Sequence, residues 1–168
     1  MTIFLENYGK TQLTPKQIIR DPILFLAFGF GSGLVKKAPG TMGTVAAIPV
    51  YWVMAQFNIW IFCLLTLIIT LVGIWICDEA AKKLEVHDFG GIVWDEIAGY
   101  LITMAFTVAV IPFSWPAIIV GFLLFRFFDI LKPQPIKWVD SKVEGGLGIM
   151  LDDVIAGLFA GIILFFIF

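Results

Sequence analysis

Charged residues fall into three blocks along the chain, and apolar stretches without any charge separate these blocks. The charged blocks are 1–37, 78–96 and 126–153, and the uncharged stretches are 38–77, 97–125 and 154–168. A helix on the surface of a soluble domain alternates one apolar face with one polar face, whereas an uninterrupted apolar run is typical of a helix inside a membrane. The pattern therefore predicts membrane helices.

Turn signals divide the apolar stretches into shorter passes. The first stretch is too long for one pass of roughly 20 residues and contains a polar patch at 56–58, and two prolines at 112–116 break the second. The last pass is 149–168, whereas 23–35 is short and glycine-containing and is predicted to be interfacial or re-entrant. We predict an all-α fold, a polytopic membrane helical bundle of about five short transmembrane or partly inserted helices.

Composition and charge support a single membrane-embedded domain over residues 1–168, with a polar N-terminal segment at 1–21. The chain is 60% hydrophobic, far above the usual content of a soluble domain. With five passes, all eleven Lys and Arg lie on one side, which the positive-inside rule identifies as the cytoplasmic side. The net charge of −2 and the lack of a strongly basic block exclude a nucleic-acid footprint.

Three pairs of charged side chains share one depth near the cytoplasmic helix ends: Asp95 and Glu96, Arg126 and Asp129, and Asp152 and Asp153. The first pair is expected about a turn inside a helix that starts near residue 91, and the last pair in the first turn of the fifth pass. Carboxylate oxygens from several helices suit Mg²⁺. The helix macrodipole alone could explain the acidic pairs at helix N-termini, but it does not explain Asp129 near a C-terminus.

Small residues on the helices that carry these acids predict close helix packing. Asp153, Gly157 and Gly161 share one face of the fifth pass, and Glu96, Gly99 and Thr103 share one face of the third. Small residues at this spacing let two membrane helices approach closely. The acids of the two helices are therefore expected to converge.

Glycine-rich segments are the second candidate feature. They are 29–33, 39–44 and a predicted loop at 145–148. The segment 39–44 opens the first pass, so its backbone N–H groups around Gly40, with the hydroxyls of Thr41 and Thr44, could hold a phosphate at a helix N-terminus. An ordinary N-cap role for the threonines is the alternative.

Two basic features complete the set of candidates. The segment 132–137 contains two prolines and is predicted to be extended, so that Lys132 and Lys137 lie at headgroup level. These lysines could neutralise a phosphomonoester or anchor the membrane interface. His87 is the only histidine, and it is either a site residue or an incidental loop residue.

The motifs around these residues resemble the bacterial phosphatidylglycerophosphatase A family. They are Ile-Val-Trp-Asp-Glu at 92–96, Phe-Arg-Phe-Phe-Asp-Ile-Leu-Lys-Pro at 125–133, Gly-Gly-Leu-Gly-Ile-Met-Leu-Asp-Asp at 145–153, and the glycine segments with His-Asp at 87–88. They occur in the family's order and with its spacing from about residue 22 to 161. The resemblance implies a mostly helical, Mg²⁺-dependent lipid phosphatase of the bacterial inner membrane, facing the cytoplasm. Its reaction would convert phosphatidylglycerophosphate to phosphatidylglycerol and phosphate.

The resemblance and the charge pattern together give a candidate set of site residues. The expected catalytic residues are Asp95, Glu96, Asp129, Asp152 and Asp153, and the expected metal ligands are Asp95, Glu96, Asp129 and Asp153. The expected phosphate or substrate contacts are Arg126, Lys132, Lys137, Thr41, Thr44, Gly40 and His87. Direct attack by water and an aspartyl-phosphate intermediate both stay open, as does the oligomeric state.

Two other functions are compatible with acids at a membrane interface. A CDP-alcohol phosphotransferase also uses aspartates and Mg²⁺, but its run of Asp-Gly-x-x-Ala-Arg is missing here. A divalent-cation channel or transporter would use the acids as a binding ring. That function predicts carboxylates near the membrane midplane or charges on both faces, and the chain has neither pattern.

Overall fold

The computed structural model describes residues 13–86, 89–108, 110–111 and 113–168, and within these ranges it contains helices and no strand. The helices are α1 (Pro15–Arg20), α2 (Pro22–Ala27), a 3₁₀ segment (Gly29–Leu34), α3 (Pro39–Met54), α4 (Ile59–Leu84), α5 (Trp94–Ala105), α6 (Trp115–Leu131), α7 (Ile136–Lys142) and α8 (Gly145–Ile167). The predicted all-α fold is confirmed.

The five predicted passes correspond to α3, α4, α5, α6 and α8. Of these, α4 and α8 are long and apolar enough to cross a membrane, judged by length and composition. The helix α5 is only 12 residues long, or about 18 Å at about 1.5 Å per residue. Sequence patterns thus located these five helices, and two of them have the length and composition of a membrane span.

Much of the outer surface of the bundle is apolar. Large side chains on α4 point away from the protein, with Trp60 81% exposed and Leu71 and Trp75 each 57% exposed. The end of α8 continues this surface, since Phe166 is 82% exposed. Exposed apolar area on this scale marks a surface that meets a membrane or another protein.

The predicted interfacial or re-entrant segment consists of α2 and the 3₁₀ turn, packed against the bundle. Asp21 caps α2, because its Oδ1 accepts hydrogen bonds from the N–H groups of Ile23 and Leu24 at 3.0 and 3.1 Å. Its other carboxylate oxygen forms a salt bridge with Lys83 at the end of α4. The N–H of Val93 donates to the carbonyl of Ala27, which joins this segment to the start of α5. The N-terminal part of the chain therefore holds α4 and α5 together at the charged end.

Candidate active site: a carboxylate centre

Close packing of α5 against α8 positions the acidic side chains. A Cβ atom at Gly157 would overlap the backbone carbonyl oxygen of Gly99, so the two helices touch backbone to backbone there. The hydroxyl of Thr103 lies 3.0 Å from the Gly99 carbonyl and 3.3 Å from the Gly157 carbonyl, and it bridges the same contact. The predicted small-residue stripes therefore do pack against each other.

Three carboxylates meet at the charged end of this α5–α8 contact. One oxygen each from Asp95, Glu96 and Asp153 lies within 4.8 Å of the other two. Asp153 is 2% exposed. Asp95 Oδ1, Glu96 Oε2 and Asp153 Oδ2 are buried and lack a hydrogen-bond partner among the described residues. Buried carboxylates this close repel one another, so they need a cation or a proton between them, and the group could hold a metal ion.

Asp152 and Asp153 lie deeper in their helix than predicted. The sequence placed them in the first turn of the last pass, but α8 begins at Gly145, so they are its eighth and ninth residues. The predicted loop at 145–148 is likewise wrong, because these residues are helical. The macrodipole acts only within the first turn. It therefore does not account for Asp152 and Asp153, although it does favour Asp95 and Glu96 in the first turn of α5.

Arg126 and Asp129 of α6 border the carboxylates. Arg126 Nη1 lies 2.5 Å from Asp129 Oδ2 and 3.7 Å from Glu96 Oε1, and all three side chains are at least 86% buried. The N-terminus of α3 reaches the same point, since a Cβ at Gly40 would lie 3.1 Å from Arg126 Nη1 and would overlap Glu96 Oε1. The arginine is therefore held by acids from two helices beside the start of a third.

Lys132 lies on the other side of the carboxylates and joins three helices. It follows α6, and its Nζ contacts Asp152 of α8 at 2.7 Å and also contacts Asp140 of α7. Burial alone would lower its pKa, but the hydrogen bonds to the two aspartates outweigh burial and raise the pKa of Lys132 above its ordinary value. Lys132 therefore stays charged at neutral pH.

The acids and Lys132 line a cavity of about 360 Å³ that opens at the charged end of the bundle, and Arg126 lies behind Glu96 and Asp129, outside the lining. The charged residues in its wall are Asp95, Glu96, Asp129, Lys132, Asp140, Asp152 and Asp153. The five predicted catalytic acids thus share one cavity, as the sequence analysis expected. A cavity of this size accommodates a phosphate group and a metal ion together.

The other predicted contacts lie at varying distances from the cavity. Thr44 is fully buried, and its hydroxyl donates a hydrogen bond to the Gly40 carbonyl within α3. Thr41 is half-buried in the first turn of α3. Lys137 is exposed on α7, outside the cavity lining. His87 lies outside the residues that the structure describes.

The prediction of an extended segment at 132–137 is wrong, because Lys132 has left-handed backbone angles and residues 133–135 form a turn. Helix α7 then begins at Ile136, so Lys137 is helical. Missing α7 also meant missing Asp140, which lines the cavity and contacts Lys132. The sequence signal was present: Ile136 and Val139 are three residues apart and are both buried, as expected for one face of a helix.

The fold and the site together define a class, namely helical proteins with an apolar exterior and a buried polar centre of carboxylates with one arginine. Within this class the chain belongs to the phosphatidylglycerophosphatase A family, whose profile matches residues 25–168. The chain is therefore an enzyme, a lipid phosphatase. This family membership excludes the two alternatives, a cation channel or transporter and a CDP-alcohol phosphotransferase.

Individual relatives agree with the family profile. The phosphatidylglycerophosphatase A of Escherichia coli K12 is 44% identical over 148 residues, which are 88% of this chain and 84% of the relative. That of Haemophilus influenzae is 45% identical over 146 residues, 86% of this chain and 88% of the relative. A Bacteroides thetaiotaomicron protein with the provisional name phosphatidylinositol-3-phosphatase is 35% identical over 152 residues, 85% of this chain and 91% of the relative. No solved structure matches the chain.

Proposed function

We propose that this enzyme hydrolyses the terminal phosphomonoester of phosphatidylglycerophosphate to phosphatidylglycerol and inorganic phosphate, with Mg²⁺ as cofactor. The observation that carries the proposal is the group of buried carboxylates Asp95, Glu96 and Asp153 beside Arg126, at the charged end of an apolar bundle. An anionic lipid presents its phosphate at this level of a membrane while its acyl chains lie in the apolar layer.

The donor set fits a hard divalent cation. Asp95, Glu96 and Asp153 each offer a buried oxygen without a hydrogen-bond partner among the described residues, and such oxygens are the ligands that Mg²⁺ prefers. Asp129 borders the group through Arg126 and is the fourth expected ligand. When bound, the cation would offset the negative charge of the phosphate and favour attack by water. Without a cation, the acids would repel the substrate.

Two basic side chains are proposed to bind the phosphate. Arg126 offers a planar guanidinium that can hold two non-bridging oxygens, and it lies beside Glu96 at the edge of the carboxylate group. Lys132 is held at the cavity wall by Asp152 and supplies a second positive charge. In the reaction a bond forms between the attacking oxygen and phosphorus while the bond to the glycerol oxygen breaks, and that oxygen takes up a proton. Lys137 is exposed on α7 and lies outside the lining of the cavity.

A location in the bacterial inner membrane, with several passes and a cytoplasmic site, is part of the proposal. The helices α4 and α8 supply two candidate spans, and the short helices α3, α5 and α6 would be inserted beside them. Every Lys and Arg of the chain lies in a charged block on the proposed cytoplasmic side. The substrate and the site would then meet at the inner leaflet.

Phosphate release from a panel of lipids tests the proposal directly. Purified protein in vesicles would be given phosphatidylglycerophosphate, phosphatidic acid or phosphatidylinositol 3-phosphate, each with Mg²⁺ or with EDTA. We expect release from phosphatidylglycerophosphate with Mg²⁺ and a loss of at least about a hundredfold in EDTA. Faster release from phosphatidylinositol 3-phosphate would overturn the proposed substrate, and equal rates in EDTA would overturn the role of Mg²⁺.

A further experiment distinguishes a water nucleophile from an aspartate nucleophile. Rapid quenching with radiolabelled substrate would detect a phosphorylated aspartate as protein-bound label that appears before free phosphate. Stoichiometric label in the burst phase supports the covalent route. A burst of free phosphate without label on the protein supports direct attack by water.

A further inference from the structure

A second cavity lies between α3 and α6, at the end of the bundle away from the acids. It has a volume of about 390 Å³, and its lining is apolar and aromatic: Ile48, Pro49, Trp52, Phe113 and Trp115. The two helices hardly touch, although α3 packs well against α5. The space between α3 and α6 is therefore a cleft with α5 behind it.

The helix faces that carry the cleft residues continue along both helices towards the acids. One face of α3, at spacings of four, three and four residues, presents Thr41, Val45, Ile48 and Trp52. One face of α6, at the same spacings, presents Trp115, Ile119, Phe122 and Arg126. Val45 is 41% exposed and Ile119 is 55% exposed, so the middle of each face is uncovered. Each face has a polar residue at one end and a tryptophan at the other.

The polar ends of these two helix faces meet at the active site. Gly40, at the start of α3, approaches both Arg126 and Glu96 closely, since a Cβ at this position would overlap Glu96 Oε1 and lie 3.1 Å from Arg126 Nη1. The guanidinium of Arg126 therefore belongs to both places: it borders the carboxylates and ends the α6 face of the cleft. A molecule in the cleft would reach the active site without leaving the protein surface.

Buried aromatic rings close the cleft on its inner side. Tyr51 stacks against Phe113 with a centroid distance of 6.2 Å, and it meets Tyr100 edge to face at 6.5 Å. The hydroxyl of Tyr100 donates to the carbonyl of Ile118 on α6 at 3.1 Å. The cleft is therefore a groove that opens outwards and does not lead into the core.

We infer that this cleft holds an acyl chain of the lipid whose phosphate is hydrolysed, an inference that rests on the proposed function. From Gly40 to Trp52 the helix rises roughly 18 Å at about 1.5 Å per residue. One leaflet occupies half of a hydrocarbon core that is about 30 Å thick, or roughly 15 Å. The path along α3 from Gly40 to the cleft therefore has about the length of an acyl chain, and it begins where the headgroup would be bound.

The arrangement of charge favours a lipid over a second copy of this chain. An occupant needs an anionic group at Arg126 and an apolar, flexible body of about one leaflet's length below it, and a lipid phosphomonoester has this order. A different groove between α4, α5 and α8 is also apolar, with Cys63, Thr66 and Leu158 among its lining residues and no charged residue in its lining. That groove therefore serves as an internal comparison.

The test compares a variant that fills the cleft with a matched variant outside it. Ile48→Trp would occupy the space of an acyl chain, and Val53→Trp, about 140° further round α3 at about 100° per residue, would not. The substrates would be dipalmitoyl and dihexanoyl phosphatidylglycerophosphate in Mg²⁺. Because two displaced methylene groups lower binding by about tenfold, we expect Ile48→Trp to lower kcat/KM for the long-chain lipid at least tenfold. Its rate with the short-chain lipid, and both rates of Val53→Trp, should stay within about twofold of wild type.

Three other results would contradict either the acyl-chain site or the proposed function. If Ile48→Trp behaves like Val53→Trp, the acyl chain lies elsewhere, while wild-type activity still supports the proposed function. If Ile48→Trp loses activity equally with both lipids, the position serves helix packing. If wild-type protein releases phosphate from neither lipid, the proposed function fails.

A second measurement on the wild-type protein does not depend on a folded variant. Vesicles would contain phosphatidylglycerophosphate with a photoreactive diazirine near the end of one acyl chain, and the labelled peptides would be mapped after irradiation. We expect label at Trp52, Phe113 or Trp115, with at least a tenfold excess over the Cys63 groove. Label mainly in the Cys63 groove, or evenly over all apolar surfaces, would overturn the inference.

Discussion

The α5–α8 contact and the α3–α6 cleft differ in the size of the residues that face each other. Between α5 and α8, glycines bring backbone against backbone, and Gly99 and Gly157 leave no space for a side chain. Between α3 and α6, the large side chains of Trp52 and Trp115 line a cavity of about 390 Å³. Small residues thus give a rigid contact, and large residues leave an open groove.

This difference assigns separate tasks to the two regions. Catalytic carboxylates must stay within a few tenths of an ångström of a working geometry, and the rigid contact fixes Asp153 beside Glu96. A flexible acyl chain needs an apolar surface without an exact fit. The largest losses of activity are therefore expected from changes at the rigid contact, and chain-length effects from changes in the cleft.

Asp153→Asn should have the largest effect, because it removes a charge at the end of the rigid contact without changing shape. We expect phosphate release to fall by at least about a thousandfold. The variant should also lose the stabilisation by metal, which for one site at a hundred times Kd is about 2.7 kcal/mol. The measurement is Tm in Mg²⁺ and in EDTA, together with activity.

Wild-type protein should melt several degrees higher in Mg²⁺ than in EDTA, and Asp153→Asn should melt at similar temperatures in both. In EDTA the variant should be at least as stable as wild type, because one buried carboxylate charge is gone. Near-normal activity of the variant at saturating Mg²⁺ would contradict the assignment of the site.

Gly157→Ala tests the rigid contact itself and leaves every charged group in place. Its Cβ would overlap the Gly99 carbonyl oxygen, so α5 and α8 must move apart. A displacement of about 1 Å costs on the order of a hundredfold in rate, and overpacking lowers the free energy of unfolding by about 1–3 kcal/mol. Phosphate release and Tm measure the two effects.

Gly121→Ala is the matched control on α6. A Cβ there would lie 2.9 Å from Met104 Sδ and 3.1 Å from Leu164 Cδ2, and both atoms belong to flexible side chains and not to the backbone. Its activity should stay within about threefold of wild type. Equal losses in the two variants would mean that the backbone contact has no special role.

Much of the fold and of the candidate site could be predicted from the sequence, because the apolar runs and the charged residues are clearly separated along the chain. Apolar runs located the helices, and charges that are costly in a membrane indicated where the acids meet. The start of α8 could not be predicted, because three glycines between 145 and 148 favour a turn by propensity. Tertiary packing overrides that propensity: Gly146 lies against the backbone of Ile74 in α4, and its N–H donates to Asp78 Oδ1.

The cleft was not predictable for a different reason. Val45 and Ile119 are apolar residues in apolar helices, so nothing in the pattern distinguishes a groove from a packed face. Only the positions of α3 and α6 relative to α5 show that the space between them is open. Asp140 was missed because the two prolines before it favoured an extended segment, and no charge pattern indicated α7.

Lys132→Met should have a smaller effect than Asp153→Asn and Gly157→Ala. It alters the edge of the cavity and leaves the α5–α8 contact and the three clustered carboxylates Asp95, Glu96 and Asp153 in place. We expect a loss of about tenfold to a hundredfold in kcat/KM. Most of this loss should appear as a higher KM, because Lys132 is proposed to bind the substrate phosphate.

Asp140→Asn is the comparison that separates phosphate binding from a purely structural role. Asp140 is 40% exposed and Asp152 is 10% exposed, so the pair with Asp140 contributes at most about 1 kcal/mol. If Lys132 binds phosphate, Asp140→Asn should change kcat/KM by less than about fivefold. If Lys132 only connects α6 to α7 and α8, both variants should lower Tm and leave KM unchanged. That result would contradict the proposed role of Lys132 as a phosphate ligand.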